Sequence, residues 1–133
     1  MLREYIIRIL LNINFYFLKL ITEIQIHKSL NNETVVKFEE FFEDKQFVYL
    51  LLELCPHKSL LKLIQYRKRL SEDEVRYYLR DMLNALEYFK SEKILHRDLK
   101  LGNILLDGNM KLKIGMFIIL LNEEIQYANI FYS

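Results

Sequence analysis

The most regular alternation of apolar and polar positions lies between residues 71 and 93. Val75, Tyr78, Leu79, Met82, Leu83, Leu86 and Phe89 follow one another at intervals of three and one, which on a helix makes a continuous apolar stripe. Arg76, Arg80, Asp81, Glu87 and Lys90 fill the gaps and predict a solvated opposite face. Ser71 and Glu74 have the spacing of a capping box, in which each side chain satisfies an orphan backbone donor of the first turn. Ser91-Glu92-Lys93 closes the segment.

Shorter patterns flank this helix. Thr22 to Leu30 reads as a short helix ended by the turn-forming pair Asn31-Asn32. The β-branched and aromatic runs VVKFEEFF and FVYLLLEL, joined by the polar Glu43-Asp44-Lys45-Gln46, predict an antiparallel hairpin. Cys55-Pro56-His57 breaks the second run. SLLKLIQYRKR then predicts a short amphipathic helix with Leu60, Leu61 and Ile64 on one side. Its Lys62, Arg67, Lys68 and Arg69 form a solvated face or, alternatively, a docking patch for acidic partners. NILLDGNMKLKI reads as a second hairpin turning at Asp107-Gly108-Asn109. The apolar opening, MLREYIIRILLNINFYFLKLI, is too short between Arg8 and Lys19 to cross a bilayer core of about 30 Å, and Asn12 and Asn14 interrupt it. No small-residue cleavage site follows it, so a core or interfacial helix is expected rather than a signal peptide. Together these elements predict an α+β fold.

Composition narrows the function. The chain has 133 residues, 52% of them hydrophobic, enough for one domain with a core and too few for two. Nineteen basic residues against 18 acidic ones create no overall field for nucleic acid or anionic lipid, so neither is an expected partner. The single Cys55 cannot form an internal disulfide, which fits a reducing compartment and a small buried hydrophobe; a reactive thiol is the alternative. All three glycines, Gly102, Gly108 and Gly115, lie late in the chain, so no glycine-rich phosphate cradle precedes residue 102.

The chemistry concentrates in His96-Arg97-Asp98-Leu99-Lys100-Leu101-Gly102-Asn103. A carboxylate, a cation two residues later and an amide five residues after the carboxylate stand on one loop between a long helix and a hairpin. They offer a base for a hydroxyl nucleophile, a positive charge for a phosphoryl oxygen and an oxygen ligand for Mg²⁺. The competing reading is a polar loop whose charges merely pair with each other.

This octapeptide resembles the catalytic loop of the protein kinase family, and the lysine after Leu99 is the form seen in serine/threonine kinases. ITEIQIHKSL resembles the helix C segment, and VVKFEEFFED with FVYLLLELC the strands that lead into the hinge. SEDEVRYYLRDMLNALEYFKSEKILHRDLKLGNILLDGNMKLKIG is similar to the long helix through to the strand before the metal-binding motif. The wording ELCPHKSL, RYYLRDML and HRDLKLGN most resembles polo-like kinases. The resemblance covers residues 21–115, the middle of a kinase domain, and leaves an apolar segment 1–20 and a divergent apolar tail 116–133 outside it.

The resemblance implies a partial protein-kinase-like fold and transfer of the ATP γ-phosphate to protein Ser/Thr hydroxyls, with ATP and Mg²⁺ as cofactors. It implies a protein substrate, or a partner kinase or regulator, and an intracellular location in the cytoplasm, nucleus or centrosome. By position, Asp98 is implied as the catalytic base, Lys100 as the group offsetting phosphoryl charge, Asn103 as a Mg²⁺ ligand and Arg97 as the residue that orients an activation segment. Leu52 falls at the gatekeeper, Glu53, Leu54 and Cys55 at the hinge whose backbone reads the adenine edge, and Leu105 beneath the adenine ring. Glu23 matches the helix C glutamate that pairs with a strand lysine.

Against that pattern several parts are missing. No glycine-rich loop precedes Glu23, and the opening offers no strand with a lysine at the family's spacing. Lys19 stands four residues before Glu23 on the same predicted helix, so Glu23 otherwise reads as an exposed helix acid coupled to Lys19 by about 0.2–0.5 kcal/mol. Met116-Phe117-Ile118 stands where the family has Asp-Phe-Gly, and a thioether is a poor ligand for a hard cation. Asp107, in the hairpin turn, cannot replace the missing acid. The expectation is a chain inactive by itself, because losing such groups removes on the order of several kcal/mol of transition-state stabilisation each. Three readings stay open: a polo-like serine/threonine kinase, a catalytically dead relative that binds partners, and a piece of a longer kinase. In the family this stripe faces the rest of the helical lobe, so from Val75 to Phe89 it is expected to be left partly uncovered here unless another surface, such as the two apolar ends, covers it.

Overall fold

The computed structural model describes residues 4–10 and 16–115. Its elements run β1 (Glu4–Leu10), α1 (Tyr16–Ser29), β2 (Phe38–Glu43), β3 (Phe47–Glu53), α2 (Leu60–Arg67), α3 (Glu72–Ser91), a 3₁₀ turn (Leu101–Asn103), β4 (Ile104–Leu106) and β5 (Leu112–Ile114). The fold is α+β, as the patterning predicts. The described residues divide into two compact units, the first holding residues 4–10, 16–31 and 37–54, the second residues 32–36 and 55–115.

In the first unit β3 is the central strand of an antiparallel sheet ordered β1-β3-β2. Its side chains alternate: Val48, Leu50 and Leu52 are buried while Phe47, Tyr49, Leu51 and Glu53 are half-buried. This is the two-residue period of a strand with one face on a core. The β2–β3 hairpin forms as predicted. Asp44 shapes its turn by accepting the Gln46 and Phe47 N–H groups on Oδ1 at 2.7 and 2.9 Å, and the Tyr49 hydroxyl on Oδ2 at 2.7 Å. Phe42 and Tyr49, directly paired in register, stack with ring centroids 4.9 Å apart. A bulge between Phe38 and Glu40 resets the register at the far end. The buried positions Leu20, Ile24 and His27 recur at helical spacing on α1, and His27 meets Phe38 edge-on at 5.4 Å.

Two expectations change here. The opening is not a helix throughout, since Glu4–Leu10 forms β1 and pairs with β3 along its whole length, Glu4 opposite Glu53 and Leu10 opposite Phe47. A strand therefore does stand upstream of Glu23; its basic residue is Arg8, and it contains no lysine. The following helix also begins at Tyr16, six residues before the predicted start at Thr22. An unbroken apolar run carries no period to separate strand from helix, and here the edge of β3 decides. Among the described residues no helix is long and apolar enough to cross a membrane.

The second unit is built on α3 and the β4–β5 hairpin. Ile104, Leu106, Leu112 and Ile114 are all at most 2% exposed and, with Tyr78, Ala85 and Phe89 of α3, belong to the buried core. Residues 34–36 extend the hairpin as a short parallel bridge: Ile114 donates to the Thr34 carbonyl at 2.7 Å and Val36 to that of Ile114 at 3.0 Å. The hairpin turn rests on the Asp107 side chain, which accepts the N–H groups of Asn109 and Lys111. Its left-handed residue is Met110 (φ 61°), not Gly108.

The capping box is formed as the spacing requires: Ser71 Oγ accepts the Glu74 N–H at 3.2 Å and the Glu74 carboxylate accepts the Ser71 N–H at 2.8 Å. Arg67, in the last turn of α2, also reaches Glu74 and so ties the two helices together. The Arg67 guanidinium, followed by the Ser71 N–H, holds the Glu74 carboxyl far below its usual range, at about 2. A lowered folded-state value means that this contribution is present above the ordinary glutamate range and disappears as pH falls through the folded one. Ser71→Ala is expected to lower stability by about 1 kcal/mol, whereas Leu106→Ala in the core is expected to cost about 2–5 kcal/mol. Urea unfolding of both variants checks the order, and the Ser71→Ala loss should shrink towards the acid limb because Glu74 no longer closes the box there.

Candidate active site

Helix α3 ends in a Schellman turn, with Ile94 donating to the Phe89 carbonyl at 2.8 Å, Lys93 to that of Lys90 at 3.1 Å, and Lys93 itself left-handed (φ 58°). The turn delivers the chain into the loop 94–100. There His96 is buried beside Phe89, their ring centroids 5.9 Å apart. Its Nδ1 accepts the Asp98 N–H at 3.2 Å, which places the ring proton on Nε2, and Nε2 donates to the Gly115 carbonyl at 2.8 Å. Between them Arg97 adopts φ 64°, a left-handed conformation that costs a non-glycine residue on the order of 1 kcal/mol or more. The anchored ring on one side and the 3₁₀ turn on the other hold that strain in place.

Asn103, 6% exposed, organises the rest. Its N–H donates to the Lys100 carbonyl at 2.8 Å, and its own carbonyl accepts the Gly115 N–H at 2.8 Å. Both side-chain amide hydrogens go to Asp98, to the backbone carbonyl at 2.7 Å and to Oδ2 at 3.0 Å. Lys100 Nζ stands 3.2 Å from the same Oδ2. The Lys100 ammonium, and secondarily the Asn103 amide, therefore hold the Asp98 carboxyl below its usual range; partial burial works the other way and loses. Asp98 is thus a stable carboxylate with Oδ2 occupied and Oδ1 available. The structure brings Asp98, Lys100 and Asn103 together in the second unit.

The remaining candidates are placed separately. Leu105, half-buried on β4, pairs in register with Lys113 and bridges to Ser59. Cys55 is half-buried, and its carbonyl accepts the Lys58 N–H at 3.1 Å. In the first unit Leu52 is buried on β3, and Glu53 and Leu54 follow half-buried. The Glu53 N–H is committed to the Lys37 carbonyl at 2.9 Å, and its carboxylate accepts the Lys37 N–H at 3.1 Å. Glu23 lies on α1 and is half-buried with a partner of its own, so the exposed helix acid expected from the sequence is corrected. Lys19 does share that helix; its side chain, and Met116-Phe117-Ile118 with the tail, lie outside the described residues. Sequence reasoning missed the positioning roles of His96 and Gly115. The signal was a histidine next to the charged motif in an otherwise apolar setting, but its partner is 19 residues away.

The fit to Mg²⁺ is poor within these residues. With both amide hydrogens of Asn103 spent, its Oδ1 remains as one neutral hard ligand, and among the described residues no group of three acidic, His or Cys side chains could hold a metal.

Residues 14–119 match the protein kinase domain family, and the chain belongs to that family. It is 55% identical over 99 residues to a probable serine/threonine-protein kinase, CCRP1, of Zea mays, covering 74% of this chain and 16% of that protein. It is 46% identical to the serine/threonine-protein kinase PLK2 of Mus musculus and 48% to PLK1 of Xenopus laevis, over the same 74% of this chain and 14% and 17% of those proteins. The polo-like resemblance read from ELCPHKSL, RYYLRDML and HRDLKLGN is thereby borne out. The chain spans about one sixth of the length of these curated relatives.

Lys100→Met is expected to raise the titration midpoint of Asp98 towards that of an unperturbed aspartate, read from its side-chain carboxyl resonance by carbon NMR. An unmoved midpoint would show that Lys100 does not act on Asp98 in solution.

Proposed function

We propose that this chain carries the catalytic loop of a polo-like serine/threonine protein kinase and that, by itself, it does not transfer phosphate. The observation that carries the first half is the Asp98 carboxylate held between Lys100 and Asn103. In that role Asp98 Oδ1 takes the proton of a protein Ser/Thr hydroxyl as its oxygen bonds to the γ-phosphorus of ATP and the bond to the departing ADP breaks. Lys100 is read as the group that offsets charge on the transferring phosphoryl, and Arg97 as the residue that orients an activation segment. On the nucleotide side, Leu52 is read as gatekeeper, Glu53, Leu54 and Cys55 as hinge, Leu105 as the floor under adenine, and α1 with Glu23 as helix C. Residues 21–115 are read as the kinase part, flanked by segments 1–20 and 116–133.

Two sequence facts support inactivity. Met116 stands at the family's second metal ligand, and β1, the strand upstream of α1, contains no lysine. ATP and Mg²⁺ would be the cofactors of the family's reaction; with Asn103 as the one neutral ligand, a weak, metal-insensitive nucleotide site is the consequence. The same facts favour a second reading, a kinase-like binding module that meets a partner protein inside the cell.

A nucleotide titration with and without Mg²⁺, followed by transfer of labelled phosphate to a generic protein substrate, separates these readings. The expected result is no transfer and nucleotide affinity that Mg²⁺ leaves unchanged; in Met116→Asp the affinity should become Mg²⁺-dependent. Transfer by the unaltered chain that disappears in Asp98→Asn would overturn the inactivity while supporting the base.

A further inference from the structure

The near-neutrality of the chain hides a local excess of charge. Residues 54–71 hold five of the 19 basic residues, Lys58, Lys62, Arg67, Lys68 and Arg69, and none of the 18 acidic ones. The remaining 14 basic and 18 acidic residues leave the rest of the chain acidic. Arg67 is spent on Glu74. The other four are exposed, and among the described residues none of them has an acidic partner. One unneutralised lysine is ordinary on a surface; four such cations between residues 58 and 69, on a chain that is otherwise acidic, form a patch.

The fold fixes where these charges stand. Helix α2 buries Leu60 and half-buries Leu63 and Ile64. At about 100° per residue, Lys62 and Tyr66 lie about 40° apart on the outward side, one turn from each other, with exposed Gln65 beside them. Tyr66 is 87% exposed, more than any other large apolar or aromatic side chain among the described residues. Leu61 turns towards the catalytic loop, its Cδ2 4.0 Å from the point that a Cβ on Gly102 would occupy, so the inner side of α2 is seated on that loop. The backbone sets the lysines at the two ends. Lys58 (φ 62°) donates to the Cys55 carbonyl at 3.1 Å and accepts the Leu106 N–H at 2.9 Å, and Lys68 (φ 71°) donates to the Ile64 carbonyl at 2.7 Å.

What fits such a patch is short and acidic. A nucleic acid or an anionic bilayer presents a long or wide array of charge, which would run on from the four cations onto the acidic remainder of the chain. The eight residues of α2 are about 12 Å long, the reach of about four residues of extended polypeptide. Carboxylates on such a stretch meet the lysines and Arg69, while Tyr66 offers a ring to pack on and a hydroxyl to donate.

We infer that the outward face of α2, centred on Lys62 and Tyr66 and flanked by Lys58, Lys68 and Arg69, is a docking surface for a short acidic segment of a partner protein, independently of whether this chain transfers phosphate. Exposed ion pairs contribute little each, so the affinity is modest and falls as salt is raised.

Fluorescence anisotropy of a labelled peptide of alternating glutamate and glycine, titrated with the 133-residue chain, tests this. The expected result is saturable, salt-sensitive binding that Lys62→Glu weakens about tenfold and Tyr66→Ala about threefold, with helix content by circular dichroism unchanged. Lys62→Arg should retain it. Lys45→Glu, which changes the net charge equally at an exposed position of the β2–β3 hairpin, should leave it unaltered. No binding, an equal loss in Lys45→Glu, or tighter binding to an oligonucleotide of the same charge or to phosphatidylserine vesicles overturns the proposal.

Discussion

A buried amide side chain has to find its hydrogen-bond partners inside the protein, since leaving one unsatisfied costs about 1–3 kcal/mol. Asn103 meets that demand by binding Asp98 twice through its side chain, while its backbone joins Lys100 on one side and Gly115 on the other. The position of the Asp98 carboxylate is thus a by-product of satisfying Asn103. His96 adds a second tie between the same two segments, from the Asp98 N–H through the imidazole to the Gly115 carbonyl. Both ties converge on the residue that follows β5, and β5 is held by β4, by the bridge from residues 34–36 and by the Asp81 carboxylate, which accepts the Leu112 N–H at 3.4 Å. The loop is thereby tied at several points to a buried hairpin.

What could be read along the sequence follows from the range of the interactions concerned. The capping box, the turns at Asp44 and Asp107 and the long stripe of α3 are local, so spacing alone revealed them. The charged octapeptide was equally legible, because Asp98, Lys100 and Asn103 meet within five residues. β1 was not legible: Tyr5 to Leu10 reads the same on a strand or a helix, and only the free edge of β3 chooses. The His96–Gly115 tie was hidden for the same reason. Left-handed positions gave no signal, because Lys58, Lys68, Lys93, Arg97 and Met110 take conformations for which glycine would be the natural residue, while no glycine does.

The electrostatics of the loop and of α3 rest on the same economy of charge. The chain is nearly neutral, so no long-range field selects a ligand, and what matters is which opposite charges are brought together. In the loop, the Lys100 ammonium 3.2 Å from Asp98 Oδ2 favours the ionised carboxylate. On α3, acids gather in the first turn and Lys90 stands in the last, an arrangement that favours the helix dipole.

The two sides of α3 differ in burial and so in what they contribute. The inner side of α3, through Tyr78, Ala85 and Phe89, supports the hairpin that positions Asp98. The outer row, Val75, Leu79, Leu83 and Leu86, stays exposed among the described residues, Leu83 most of all at 64%, and lies outside that buried set. Stability of the candidate site therefore depends on the inner face. Substitutions on the outer row should then leave the Asp98–Lys100–Asn103 geometry in place, because additivity holds where side chains share no partners.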